Sequence, residues 1–300
     1  MLQVSYNDIY VHPLPENHRF PMEKYELLIQ QLLYEGTISE EQVFSPESIH
    51  LQDVLKVHDS DYLKRLKRLE ISPKEQRVSG FVHNQRLISR ELMIMGGTRA
   101  CAERVLNGGA AMNIAGGTHH AFTNRGEGFC LLNDQAIAAK WLLDATNVQN
   151  ILIVDLDVHQ GNGTAEIFRD TSEVFTFSMH GKNNYPLKKE TSNLDVELED
   201  AIGDTDYLYK LEASLDSILK EVTPDFVFYQ CGVDVVATDK LGKLGMTRNG
   251  CKRRDEIVFE TVKQLEVPVV CTMGGGYSPH IKDIVEAHAN TYRVAQNILF

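Results

Sequence analysis

Asp155, Asp157 and His159 alternate with Leu156 and Val158, and this spacing makes the pentapeptide the richest stretch of potential chemistry in the chain. While the backbone stays extended, a period of two puts all three polar side chains on one side. Two carboxylates and an imidazole suit a divalent cation. Zinc takes such nitrogen and oxygen ligands, and a catalytic zinc keeps three protein ligands and an open position for water. Taken alone, the triplet fits a magnesium or manganese site, or a polar loop at a strand end, as well as it fits zinc. Three further groups narrow the choice: the pair His119-His120, Asp234, and Tyr277 behind Gly274-Gly275-Gly276. Each follows an apolar run of strand length. Asp157 and His159 then supply two ligands, Asp234 a third from a neighbouring strand, and Asp155 is left to orient a histidine.

The elements that must position these residues alternate along the chain. Apolar runs at Ala110–Ala115, Ile151–Val158, Val174–Ser178, Phe226–Gln230 and Val267–Met273 predict strands. Helical stretches separate them at Asp134–Leu143, Thr164–Phe168, Asp206–Glu221, Asp255–Leu265 and Pro279–Ile298, the last with Ser278 as N-cap and proline at the first helical position. Continuous apolar strands alternating with helices predict a three-layer α/β fold, a mainly parallel central sheet with helices on both faces. Ligands of such sheets bind beyond the carboxyl ends of the strands, where the His, Asp and Tyr residues stand. The first ~100 residues read as helices without strands of their own, at Met22–Tyr34, Asp61–Leu69 and Gln85–Leu106. They are expected to complete the same layers, so residues 1–300 are read as one catalytic domain.

Composition excludes several classes. A formal charge of −12 argues against nucleic acid or an anionic membrane surface as the main partner and is compatible with a lysine-rich one. Five cysteines, with no Cys-x-x-Cys pair, read as buried thiols of a reducing compartment. The N-terminus lacks a basic and apolar leader, and no stretch approaches ~18 consecutive apolar residues. The expectation is a cytoplasmic protein with no membrane span.

Read together, five motifs resemble the zinc-dependent histone deacetylase family, which includes acetoin-utilisation proteins and acetylpolyamine amidohydrolases. They are Gly116-Gly117-Thr118-His119-His120-Ala121, Gly128-Phe129-Cys130-Leu131-Leu132-Asn133-Asp134, the run from Asp155 to Gly163, Gly232-Val233-Asp234, and Gly274-Gly275-Gly276-Tyr277. The segment from His12 to Pro21 is similar to the family's N-terminal one. Leu241–Gly245 and Lys252–Glu256 look most like its class IV and bacterial branch.

The resemblance implies an arginase/deacetylase-like fold, hydrolysis of Nε-acyl-lysine amides, and zinc on Asp157, His159 and Asp234. It implies proton transfer by His119 and His120, oriented by Asp155 and Asn162, and an oxyanion donor in Tyr277. Asn162 stands where class I enzymes commonly carry Asp. Phe129 and Tyr185 are implied as tunnel walls, the Gly128 carbonyl as acceptor of the substrate N–H, and Arg19 as a neighbour of the interior channel for acetate release. Asp155 and Ser178 resemble part of a site for a structural monovalent cation such as K+. One departure stands out: the loop Val78–Gln85 has no rim aspartate to grip a peptide backbone; His83 or Asn84 could substitute, but a plain solvent-exposed loop is the favoured reading. Less affinity from the peptide would favour a longer acyl chain, at ~0.8 kcal/mol per buried methylene.

Two rival enzymes share the fold. An acetylated polyamine could replace the acyl-lysine protein or peptide as substrate with the same active centre. An arginase-type ureohydrolase needs a two-metal cluster, and a second Asp-x-Asp-x-x-Asp run is missing. A scaffold that recognises acyl-lysine without hydrolysing it would be signalled by loss of Tyr277 or a ligand, and all are present.

Overall fold

The structure, a computed structural model, describes residues 1–300. Eight strands form one sheet: β1 (Gln3–Ser5), β2 (Val43–Phe44), β3 (Ala110–Asn113), β4 (Ile151–Asp155), β5 (Val174–Gly181), β6 (Leu194–Leu198), β7 (Phe226–Gln230) and β8 (Val269–Thr272). Their order is β2-β1-β3-β8-β7-β4-β5-β6, and every pairing is parallel. The fold is the α/β arginase/deacetylase type.

The central strands β3, β4, β7 and β8 are buried along their whole length. That is why Ile151-Leu152-Ile153-Val154 and Phe226-Val227-Phe228-Tyr229 read as unbroken apolar runs, since helices cover both faces of a parallel sheet. Helix Gln85–Arg104 is capped by Asn84, whose Oδ1 accepts from the Leu87 N–H at 2.9 Å. Its Gly97 lets the sheet come close: a Cβ there would sit 2.8 Å from both Ser5 Oγ and Asn113 Nδ2, on β1 and β3.

Three expectations are corrected. The N-terminal region does have strands, β1 and β2, which extend the sheet on the β3 side. At three and two residues they are too short to show a period. β6 is a further strand beyond those expected, at the opposite edge; Leu194-Asp195-Val196-Glu197-Leu198 alternates apolar and acidic residues as a half-exposed edge strand should. The C-terminal helix spans Ile281–Leu299 with His280 at its N-cap, so Ser278 and Pro279 precede it, and the Ser278 hydroxyl bonds Thr238 Oγ1 at 2.9 Å instead. All five cysteines are free and buried. No helix is long and apolar enough to cross a membrane.

Candidate active site

β3, β8, β7 and β4 lie side by side, and their carboxyl ends deliver His119-His120, Tyr277, Asp234 and the pair Asp157/His159 to one place. β4 itself stops at Asp155, so the loop beyond it, rather than an extended strand, brings Asp157 and His159 together.

Buried polar groups fix these loops. Asp134, at the start of helix Asp134–Ala145, accepts from the Gly117 N–H at 3.1 Å, the Thr118 N–H at 2.9 Å and the Thr118 hydroxyl at 2.8 Å. It thereby holds the turn that leads to the histidines. Gln230 Nε2 donates to the Gly117 carbonyl at 2.8 Å. Arg254, fully buried, donates to the carbonyls of Leu156 at 3.2 Å and Gly232 at 2.6 Å, and pairs with Asp255 at 2.7 Å. One guanidinium thus ties together the loops that carry Asp157 and Asp234.

Asp157, His159 and Asp234 are buried, and one ligand atom from each lies within 4.8 Å of the others. His159 Nδ1 sits 3.1 Å from Asp157 Oδ1 and 3.1 Å from Asp234 Oδ2. One imidazole proton between two buried carboxylates leaves the group short of positive charge, which is the condition a divalent cation relieves. Burial, then the charge of Asp157, pushes the Asp234 carboxyl up to about 7. Burial works against a charged His159, but its two carboxylate partners outweigh it and raise the imidazole to about 10. A metal would displace those protons. The remaining carboxylate oxygens are spoken for: Asp157 Oδ2 accepts from the Gly275 N–H at 2.7 Å and Asp234 Oδ1 from the Val158 N–H at 2.9 Å. Two carboxylates and one imidazole fit zinc.

His119 and His120 lie side by side, ring centres 4.1 Å apart and planes tilted by 44°. His119 Nδ1 bonds Asp155 Oδ2 at 2.7 Å, and His120 Nδ1 bonds Asn162 Oδ1 at 2.6 Å. The partners set opposite trends. Burial disfavours the charged form of His119, yet Asp155 and Asp157 prevail and raise its pKa. Burial, then His119 and His159, drives His120 well below the usual range, and Asn162 offsets little of it. Tyr277 lies with its ring 6.3 Å from that of His159, and its backbone N–H donates to Asp239 Oδ2 at 2.6 Å. Burial, then Asp157 and Asp234, holds the phenol well above its ordinary value, so it keeps its proton. A Cβ on Gly275 would collide with the Asp234 carboxylate, which explains the glycine before this turn.

An outer cavity of about 230 Å³ leads to the site between Phe129, Tyr185, Gly128, Arg19 and Lys243. Phe129, held at φ +68°, is braced by Gly80 of the rim loop, where a Cβ would meet its ring at 2.7 Å. Tyr185 faces His120 edge-on at 5.0 Å, and its hydroxyl donates to Glu127. Arg19 is corrected: it is exposed at the mouth, over the Phe129 ring at 5.1 Å, and does not reach the interior. The buried cations packed against Phe20 and Tyr25 of the inner cavity are instead Lys24 and Arg90. Lys24 is buried, donates to the Gly274 carbonyl at 3.1 Å, and is pushed down to about 8 by burial against the pull of Asp234 and Asp157. Arg90 lines an inner cavity of only about 30 Å³ with Phe20, Tyr25 and Ile94. In the rim loop, Asn84 is spent as a helix cap and His83 bonds the Ser79 hydroxyl, so neither replaces a backbone clamp. Ser178 Oγ lies 2.9 Å from His180 Nδ1.

Residues 18–292 match the histone deacetylase domain. An uncharacterised protein of Picosynechococcus sp. is 45% identical over 295 residues, 98% of each chain. Histone deacetylase 2 of Arabidopsis thaliana is 29% identical across 90% of this chain and 72% of its own. The crystal structure of a histone deacetylase homologue from Aquifex aeolicus superimposes with a TM-score of 0.84 at 24% identity, covering 99% of this chain and 84% of that one.

Fold and site together define a hydrolase of linear amides with an arginase/deacetylase-type sheet. The chain belongs to the histone deacetylase family, whose members act on acetylated substrates and are as a rule zinc-dependent.

Proposed function

We propose that this chain, acting as a single catalytic domain, hydrolyses Nε-acyl-lysine amides. The observation that carries the reading is the buried Asp157/His159/Asp234 group with the histidine pair and Tyr277 at the inner end of one narrow cavity. Those three residues would hold a zinc ion, which when bound polarises the amide carbonyl and acidifies water.

The protein's own groups do the rest. His120 donates from Nδ1 to Asn162, so its Nε2 lone pair is free, and it takes the proton of the attacking water. His119, whose proton Asp155 favours, protonates the leaving lysine nitrogen. The Tyr277 hydroxyl donates to the carbonyl oxygen as negative charge develops there. Gly128 accepts the substrate N–H, and Phe129 and Tyr185 flank the lysine stem. Ser178 beside Asp155 is the side chain offered to a structural K+, checked by K+-dependence of turnover.

The inner cavity, about 30 Å³ or room for about two waters, supports a short acyl group over the longer one expected from the missing backbone clamp. Five buried free thiols support a reducing, cytoplasmic setting. The test is turnover of matched lysine peptides that differ only in the acyl group, alongside acetylated diamines. Acetyl-lysine peptides are expected to lead, with a steep fall at longer chains. A preference for acetylated diamines over every peptide would move the protein to the polyamine reading.

A further inference from the structure

The outer cavity is lined by two cationic side chains, Arg19 and Lys243, and by no aspartate or glutamate. Both are exposed and neither has a carboxylate partner. The Arg19 guanidinium rests on the Phe129 ring at 5.1 Å, and Lys243 Nζ donates to the Asn183 carbonyl at 2.9 Å. These contacts aim the two groups without neutralising them.

Two acids that contact the cavity's lining residues are already engaged. Glu127 accepts from Arg125 Nε at 2.7 Å and from the Tyr185 hydroxyl. Asp239 accepts from the backbone N–H groups of Leu241, Gly242 and Tyr277. The segment that carries Tyr185, from Lys182 to Lys189, holds three lysines and no acid. Of these, Lys182 pairs with Glu199 at 3.1 Å, Lys189 donates to the carbonyls of Asn184 and Pro186, and Lys188 is exposed without an acidic partner. A chain of net charge −12 therefore presents a positive rim at the entrance to its site. Clefts lined by one sign of charge concentrate ligands of the other.

We propose that Arg19 and Lys243 select acyl-lysine substrates that carry a carboxylate beside the acylated residue. The proposal rests on the amide hydrolysis proposed above and names its substrate class. The carboxylate can come from a flanking Asp or Glu of a peptide, or from the α-carboxylate of free acyl-lysine. The charge pattern disfavours acetylated diamines, which bring a cation to the same mouth. It also supplies what the rim loop Val78–Gln85 lacks: a grip on the substrate outside the tunnel.

The experiment uses the full-length, zinc-loaded protein and acetyl-lysine peptides identical except for Glu, Gln or Lys on either side of the acetylated residue. Free Nε-acetyl-lysine, its α-amide and N-acetylputrescine complete the set. An exposed charge pair changes affinity by at most about five-fold. The expected order is therefore Glu above Gln above Lys, in steps of roughly three- to five-fold in kcat/KM, carried by KM, and compressed at high salt. Free acetyl-lysine exceeding its amide identifies the α-carboxylate as a source; an effect confined to the peptides identifies the flanking acid. In the Arg19→Gln/Lys243→Gln double variant the Glu-to-Lys ratio should approach one. Equal kcat/KM for the Glu and Lys peptides at low salt, with both hydrolysed, overturns this proposal alone. Turnover of none of these amides overturns it together with the reading on which it rests.

Discussion

The floor of the site and its rim are built by different means. On the floor, the functional side chains follow the ends of four adjacent, fully buried strands, and the carboxylates of Asp157 and Asp234 and the Nδ1 atoms of His119 and His120 are bonded to buried partners. At the rim, Tyr185, Arg19 and Lys243 sit on loops, more than a third exposed, and are held by one or two contacts each. The contrast teaches where chemistry and selectivity reside. Moving a floor residue disturbs a network with no slack, whereas a rim residue can change at little cost to the fold. Floor substitutions should therefore reduce turnover by orders of magnitude, and rim substitutions should alter substrate choice by single-digit factors.

The largest effect is expected at His120. His120→Ala removes the group assigned to the water's proton, and turnover should fall by about 10²–10⁴ while zinc stays bound, as elemental analysis would verify. Tyr277→Phe comes next. Deleting one oxyanion donor lowers kcat by about 10²–10³. Near-normal kcat in a zinc-replete Tyr277→Phe protein would transfer the carbonyl's polarisation to another group.

Arg254 lies outside the cavity and tests whether the floor depends on its supports. Arg254→Lys keeps the charge but loses the fork that reaches both the Leu156 and Gly232 carbonyls. Zinc affinity, measured by chelator competition, should weaken by about 10–100-fold, the scale for groups that orient ligands. Unchanged affinity in a folded variant would mean the loops hold their shape without it.

Asn162→Asp should move a pH profile rather than abolish activity. A carboxylate favours the imidazolium form that burial now disfavours, so the pKa of His120 rises. Activity needs neutral His120, so the acidic limb of the kcat/KM profile should shift to higher pH. Superimposable profiles would disconnect His120 from that limb. The smallest effect belongs to the rim: Tyr185→Phe removes only the hydroxyl that donates to Glu127, and should change kcat/KM for an acetyl-lysine peptide by a few-fold at most.

Legibility in the sequence follows the same division. β4 and β7 announce themselves because parallel strands buried on both faces leave no room for polar residues, so Asp155 and Asp234 mark where each strand opens to the site. Short strands such as β2 leave no such trace. Asp134 reads as an ordinary acid at a helix start, and its grip on Gly117 and Thr118 depends on a turn sixteen residues away in sequence. Arg254 sits among Lys252, Arg253 and Glu256, which looks like a solvated helix face, and only helix packing reveals that this one side chain points inward. Arg19 misled for the opposite reason: its motif was recognisable, but the interior position it suggested is filled by Lys24 and Arg90. Long-range partners of this kind have no periodic signature.

The central claim is that a single metal on Asp157, His159 and Asp234 supports amide hydrolysis. Titrating zinc into the metal-stripped protein while following hydrolysis of an acetyl-lysine peptide tests it directly. Activity should start near zero and reach its plateau at one equivalent per chain; a plateau at two equivalents, or full activity before any zinc is added, would contradict the account.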